Sequence, residues 1–321
     1  MKVKHYKKEI YLTGFYKAQI NYLKKKFRKI NFVYEEKITS KVNSCDAVVG
    51  ITRVSIEKVL KKINLKNNKI IKWIHLPGAG VEKYMFLKNF NNILFTNGKI
   101  IQGIQVADHA MGLLLSLSRN INLILKYGQK IKFKKRPIEL NNKNALIVGY
   151  GGVGKCLAKR VFGFGMKIKV VNNEYSKRPN FIKNFFLSNQ LHSAVKNTDV
   201  VFITMPLTEQ SKNMINEKII KKLNKDAIII NVSRGGCLCL KSLEKYLKNG
   251  HLSGAGLDVT EPEPLPKKHN LFRMKNVVIT PHIAGISDNF SKRNFQLIVD
   301  NIEKYLKNMK LINTVNFKKG Y

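Results

Sequence analysis

Short runs of consecutive apolar residues alternate along this chain with longer segments in which apolar positions recur every three or four residues. A continuous apolar run bounded by polar residues or glycine reads as a strand buried on both faces. A 3.6-residue period reads as a helix with one buried stripe. Predicted strands in the first part are Ile10-Tyr11-Leu12, Asn31-Phe32-Val33-Tyr34, Ala47-Val48-Val49-Gly50-Ile51, residues 70–74 and Ile93-Leu94-Phe95. Helical segments fall between them, for instance over 56–63, and a long apolar helix is expected over about 106–125. The alternation then restarts, with strands at 145–148, 167–171, 200–204, 227–232, 254–257 and 277–280 and a final helix over 289–306. Alternating strands and helices predict an α/β fold of two doubly wound parallel-sheet domains, with ligands expected in the crevice between them.

Composition narrows the class. The 321 residues suffice for about two domains, and 44% hydrophobic content supports full cores. The longest apolar stretches, such as 111–117, are far too short to span a membrane. The basic start, Met1-Lys2-Val3-Lys4-His5-Tyr6-Lys7-Lys8, has no apolar segment behind it, so no secretory leader is expected. Cys45, Cys156, Cys237 and Cys239 form no Cys-x-x-Cys pair; a reducing cytoplasm and no metal site are expected. The net charge of +39 raises a nucleic-acid or membrane-surface partner. Against it, only nine of the 59 basic residues are arginine and the lysines are spread over the whole chain, as A/T-rich codons would spread them. No specific nucleic-acid partner is therefore expected, although a positive field would favour an anionic substrate and cofactor.

The chemistry concentrates in the second half. In Asn144-Ala145-Leu146-Ile147-Val148-Gly149-Tyr150-Gly151-Gly152-Val153-Gly154-Lys155 an apolar strand runs into Gly-x-Gly-x-x-Gly, and a helix-like stretch follows. This is what a dinucleotide pyrophosphate needs: Gly149 for a tight turn, Gly151 for close backbone approach, Gly154 for helix–strand packing. The N–H groups of Gly152 and Val153 would face the phosphates, helped by the helix dipole. Three later strands end in chemistry-bearing residues. Arg234 follows Ile228-Ile229-Ile230-Asn231-Val232-Ser233, Asp258 ends Gly254-Ala255-Gly256-Leu257, and His282 follows Val277-Val278-Ile279-Thr280-Pro281. Glu263 sits in the proline-stiffened Thr260-Glu261-Pro262-Glu263-Pro264-Leu265-Pro266. Taken singly, each is as readily an ion-pair partner, a turn or a structural histidine. Three strand ends delivering Arg, a carboxylate and His to one sheet edge point to a site.

These segments resemble the D-isomer-specific 2-hydroxyacid dehydrogenases, nicotinamide-dependent oxidoreductases, over almost the whole chain. Pro77-Gly78-Ala79-Gly80-Val81-Glu82, Val106-Ala107-Asp108-His109-Ala110 and Met205-Pro206-Leu207-Thr208 are similar to family loops and a helix start, and the Arg, Glu and His segments follow in the family's order. The resemblance implies a Rossmann dinucleotide-binding domain over about 101–288, inserted in a flavodoxin-like substrate domain of about 1–100 completed by 289–321. It implies that His282 is the proton donor when a 2-keto acid is reduced, that Glu263 hydrogen-bonds and holds the protonated imidazole, and that Arg234 orients the substrate carboxylate and polarises the keto oxygen. It assigns backbone N–H groups of Ala79 and Gly80 to the carboxylate, Asp258 and the Val232 carbonyl to the nicotinamide carboxamide, and further cofactor contacts to Pro206 and Gly285. A homodimer is also implied.

The chain departs from the NAD-using pattern where the second strand of the nucleotide domain ends. Asn172 stands in place of the usual Asp, with Lys177 and Arg178 shortly after it. An Asp would repel a 2′-phosphate and Asn would not, which favours NADP over NAD. The alternatives are that both cations are merely solvated and that Glu174 serves an NAD ribose. Chain length and the ending Gly320-Tyr321 are similar to the glyoxylate/hydroxypyruvate reductase branch. Oxidation of D-3-phosphoglycerate, with Arg53 touching a second anionic group, and a nicotinamide-sensing role like that of the C-terminal-binding-protein co-repressors are the competing readings.

Overall fold

In the first unit, Met1–Ile101 with Asp288–Tyr321, five parallel strands lie in the order β2-β1-β3-β4-β5. They are β1 (Glu9–Thr13), β2 (Asn31–Val33), β3 (Ala47–Gly50), β4 (Trp73–Leu76) and β5 (Leu94–Asn97). Alternate residues of β1 to β4 feed two cores. Tyr11, Val48 and Ile74 pack with Ile56, Val59 and Leu60 of helix α2 (Arg53–Leu60). Ile10, Leu12, Val49 and Trp73 pack with Ile20 and Leu23 of α1 (Lys17–Lys26) and with Ile298, Val299 and Ile302 of the last helix, Phe290–Leu306. Burial on both faces is why these strands read as unbroken apolar runs. The structure, a computed structural model, describes residues 8–128 and 136–321, so the basic stretch Met1 to Lys7 lies outside the described residues.

The second unit, Gln102–Ser287, holds seven parallel strands in the order β12-β11-β10-β9-β6-β7-β8. These are β6 (Asn144–Val148), β7 (Lys167–Asn172), β8 (Ile182–Leu187), β9 (Val200–Ile203), β10 (Ala227–Asn231), β11 (Leu252–Leu257) and β12 (Val277–Ile279). Helices α3 (Gly103–Ser118) and α5 (Gly152–Gly163) cover one face through Leu113, Leu114, Leu157 and Val161. The other face packs on α6 (Leu191–Ala194), α7 (Glu217–Ile220) and α8 (Leu240–Lys248) through Leu191, Ile219, Leu243 and Leu247. Strand order reverses at β6, which lies between β7 and β9. The glycine turn after β6 therefore opens at the topological switch point, where doubly wound sheets bind ligands.

Three details differ from the sequence pattern. The helix expected over 106–125 is two helices, α3 and α4 (Ile121–Tyr127), because Asn120 adopts a left-handed φ of 58° between them. Strand β8 has no clear signal: it is a sheet edge in which Lys183 and Asn184 are exposed between buried Ile182 and Phe185, so neither a continuous run nor a regular alternation appears. Strand β4 begins at Trp73 rather than at residue 70, and Ile70 is exposed. Among the described residues no helix is long and apolar enough to cross a membrane, and no cluster of three metal-ligating side chains occurs.

Candidate active site

Two glycines of the turn are required sterically. Gly149 has φ 104° and a Cβ there would lie 2.6 Å from the Met205 nitrogen. A Cβ on Gly154 would come within 2.1 Å of the Gly149 carbonyl oxygen, so helix α5 packs against the end of β6 only with glycine. A Cβ on Gly151 would meet nothing within 4 Å, so the space before the helix is open and a side chain would fill it. Gly151 caps α5, and the N–H groups of Gly152, Val153 and Gly154 belong to its first turn, which has no intrahelical acceptors. These features fit a pyrophosphate at this position. Pro206 is exposed on the neighbouring loop after β9, its carbonyl accepting from Ser211 Oγ at 2.7 Å. Val232 is buried at the end of β10, and Gly285 accepts from Gln105 Nε2 at 2.9 Å.

Asn172 ends β7, yet both ends of its amide are engaged within the protein. Oδ1 accepts from the Tyr150 N–H at 3.1 Å, and Nδ2 donates to the Glu174 carbonyl at 2.9 Å. It braces the glycine turn against the following loop. Lys177 and Arg178 are exposed on that loop. The Arg178 guanidinium stands 5.5 Å from the centre of the Phe185 ring, which also meets Tyr150 and Tyr175. Burial raises the Tyr150 hydroxyl pKa, and the charge of Arg178 opposes that rise.

The structure brings His282 and Glu263 into direct contact: Nδ1 lies 2.6 Å from Glu263 Oε1, and both side chains are partly exposed. His282 has a left-handed φ of 54°. Such a conformation costs a non-glycine residue about 1–2 kcal/mol and persists only where the surroundings impose it. Asp258 imposes it. Its carbonyl accepts from the His282 N–H at 2.9 Å, Oδ1 from the Ile283 N–H at 3.0 Å and Oδ2 from the Ala284 N–H at 3.0 Å. Oδ1 also accepts from Thr280 Oγ1 at 2.6 Å and lies 3.4 Å from His109 Nε2. Burial pushes the Asp258 pKa up, but the bonds from His109, Thr280, Ala284 and Ile283 outweigh it and hold the value at about 2. Asp258 is thus the anchor of the histidine loop, each of its carboxylate oxygens accepting a bond from within.

Arg234 follows β10 in extended conformation, half-buried, and its guanidinium donates to the Ser233 carbonyl at 2.7 Å. Asn231 holds the turn: Nδ2 donates to the Arg234 carbonyl and Oδ1 accepts from the Ser233 N–H. Gly235 lets this turn meet the loop that carries Glu263, because a Cβ there would lie 2.0 Å from the Thr260 carbonyl carbon. The bracing roles of Asn231, Gly235, Thr280 and His109 escape the sequence reading. A glycine beside an arginine and a histidine in a helix were visible signals without a stated partner.

In the first unit, Ala79 and Gly80 are half-buried in the loop after β4. Asn97 Nδ2 donates to the Ala79 carbonyl at 2.8 Å, and Gly78 has φ 78°. Arg53 is exposed at the start of α2. Lys99 is tied to the Thr314 carbonyl at 2.9 Å, and burial lowers its pKa.

Residues 111–284 match the family described as D-isomer specific 2-hydroxyacid dehydrogenase, NAD binding domain. A glyoxylate reductase of Thermococcus litoralis is 31% identical over 291 residues, 87% of this chain and 86% of that one. A D-3-phosphoglycerate dehydrogenase of Methanocaldococcus jannaschii is 30% identical over 291 residues, and the chain spans about half, 54%, of its length. In fold, the chain is similar to a D-isomer specific 2-hydroxyacid dehydrogenase from Xanthobacter autotrophicus solved with NADPH and MES, with a TM-score of 0.79, 20% identity and coverage of 98% and 99%.

Proposed function

Because the chain belongs to the D-isomer-specific 2-hydroxyacid dehydrogenase family, we propose that its substrate is a small 2-keto acid, glyoxylate or hydroxypyruvate, reduced to the 2-hydroxy acid, of D configuration where the product is chiral. It is a nicotinamide-dependent oxidoreductase acting on the CH–OH group. The observation that carries the reading is the 2.6 Å contact between His282 Nδ1 and Glu263. A carboxylate accepting from Nδ1–H fixes the ring and leaves Nε2 as the nitrogen that gives a proton to the keto oxygen. Arg234 is assigned to the substrate carboxylate and to the charge that develops on that oxygen. A bound nicotinamide dinucleotide, in its reduced form, would supply the hydride for the carbonyl carbon. Gly151, Gly152 and Val153 would hold its pyrophosphate.

Within this reading the cofactor is NADPH rather than NADH. Position 172 carries no carboxylate, its amide is turned inward, and Lys177 and Arg178 are exposed beside it. A homodimer is part of the proposal. Helix α4 has no buried residue and exposes Ile121, Ile124 and Leu125, a surface suited to a second copy. Sedimentation of Leu125→Lys as a monomer beside a dimeric wild type would support that surface; identical sedimentation would remove it.

The deciding experiment follows NADPH and NADH oxidation with glyoxylate, hydroxypyruvate, pyruvate and phenylpyruvate. Turnover of glyoxylate and hydroxypyruvate is expected, with a higher kcat/KM for NADPH. Turnover confined to pyruvate and phenylpyruvate overturns the substrate, and equal or better use of NADH overturns the cofactor preference. D-3-phosphoglycerate belongs in the oxidative direction of the same screen, given the exposed Arg53 and the relative of that activity.

A further inference from the structure

The proton inventory around Asp258 identifies two residues that act on the histidine without touching substrate. Thr280 Oγ1 lies 2.6 Å from Asp258 Oδ1, and Asp258 is an acceptor, so the hydroxyl proton points to the carboxylate. His109 Nε2 lies 2.9 Å from the same hydroxyl oxygen and 3.4 Å from Oδ1. With the threonine proton committed, His109 must carry its hydrogen on Nε2 and donate. Helix α3, the end of β12 and the end of β11 are thereby joined through one string of donors. That string ends on the carboxylate that receives the N–H groups of Ile283 and Ala284, while the Asp258 carbonyl receives that of His282. Three successive N–H groups converging on one residue hold His282 in its left-handed conformation, and that conformation aims the ring at Glu263.

We propose that His109 and Thr280 are positioning residues for His282. They orient the Asp258 carboxylate, and through it the turn that presents the imidazole. The inference rests on the assignment of His282 as the proton donor. The hydrogen bonds of both side chains go to each other and to Asp258, while the imidazole Nδ1 meets Glu263, so their removal acts through the geometry of the turn.

The test pairs conservative with disruptive substitutions. Thr280→Ser and His109→Gln keep the hydroxyl and the donor; Thr280→Val and His109→Leu remove them. Crystal structures of wild type and variants report the φ of residue 282 and the Nδ1–Oε1 distance, and steady-state kinetics report kcat and the cofactor KM. Thr280→Val and His109→Leu are expected to lose the Glu263 contact and to lower kcat by about tenfold or more, the scale of a misplaced catalytic group. Their cofactor KM should change little, and Thr280→Ser and His109→Gln should restore both readouts. An undisturbed residue 282 in Thr280→Val and His109→Leu overturns the proposal, as does an equal loss in the conservative variants. Should Thr280→Val not fold, His109→Leu, at a partly exposed position, carries the same comparison. If wild type turns over no keto acid, the functional reading fails while the crystallographic readout still decides the positioning role.

Discussion

Replacing Gly235 by alanine tests whether the arginine turn and the glutamate loop act as one unit. The added Cβ would lie 2.0 Å from the Thr260 carbonyl carbon and oxygen and 2.5 Å from the Glu261 nitrogen. All three are backbone atoms, so no side-chain rotation relieves the clash. Ordinary carbon contacts begin near 3.5 Å, and one of the two segments must move by roughly 1–1.5 Å. The Thr260 segment is braced by its own hydroxyl, which donates to the Pro262 carbonyl at 2.8 Å, so a shift there is passed to Glu263. A shift of the other segment displaces Arg234. A misplacement of about 1 Å at a reacting centre costs on the order of 100-fold in rate, and overpacking costs about 1–3 kcal/mol of stability. Gly235→Ala should therefore keep its fold, melt several degrees lower and lose about 100-fold in kcat for keto-acid reduction. Stopped-flow or steady-state NADPH oxidation measures the rate, and calorimetry the Tm. A variant with a lowered Tm and wild-type kcat would refute the reasoning, because the clash would then be absorbed away from both catalytic segments.

His282→Gln should lower kcat by at least about 100-fold with cofactor affinity nearly unchanged, since proton transfer contributes about 10²–10⁴; a loss of only a few-fold in steady-state assays would dismiss His282 as the acid. Lys177→Ala/Arg178→Ala should raise the KM for NADPH about tenfold and leave NADH alone, the loss of one charge-assisted bond of about 1.5 kcal/mol or more. Asn172→Asp should move preference toward NADH, and an unchanged NADPH/NADH ratio in both variants would mark these residues as ordinary surface. His75, fully buried in the first unit, has its pKa lowered by burial from 6.5 to about 4. Its contribution to stability is complete above pH 6.5 and is lost as pH falls from 6.5 to 4, to a total of about 3 kcal/mol. Trp73, the single tryptophan, lies in the same strand and donates to Thr96 at 2.9 Å, the hydroxyl that His75 also meets. Its fluorescence should report an acid transition of this unit that moves to lower pH in His75→Phe; an unmoved midpoint would show that another group drives it.

Much of the molecule was written in local pattern. Unbroken runs such as Ile228-Ile229-Ile230 mark strands because both faces of a covered parallel sheet must be apolar. The spacing of Gly149, Gly151 and Gly154 marks the turn, since the positive φ of Gly149 and the approach of Gly154 to the Gly149 carbonyl are local to it. Arg234, Glu263 and His282 were legible as candidates because each follows a strand or sits in a stiff loop, and their order resembles one family. The edge strand β8 and the break at Asn120 were not, because an edge tolerates mixed polarity and a single left-handed residue leaves the apolar period intact.

What only the tertiary structure decided is partnership across long sequence distances. Asn172 reads only as a strand-end amide; that it closes on the Tyr150 N–H appears once β7 is seen beside β6. Asp258 reads only as a strand-end carboxylate; that it receives the Ile283 and Ala284 N–H groups appears once the loop at 282–284 is seen folded over it. His109 and Thr280 lie 171 residues apart and meet because α3 packs on the end of β12. Composition and periodicity express the environment of each residue, apolar or wet, helical or extended. They carry no record of which strand lies next to which, and a hydrogen bond between strand ends is determined by that order alone.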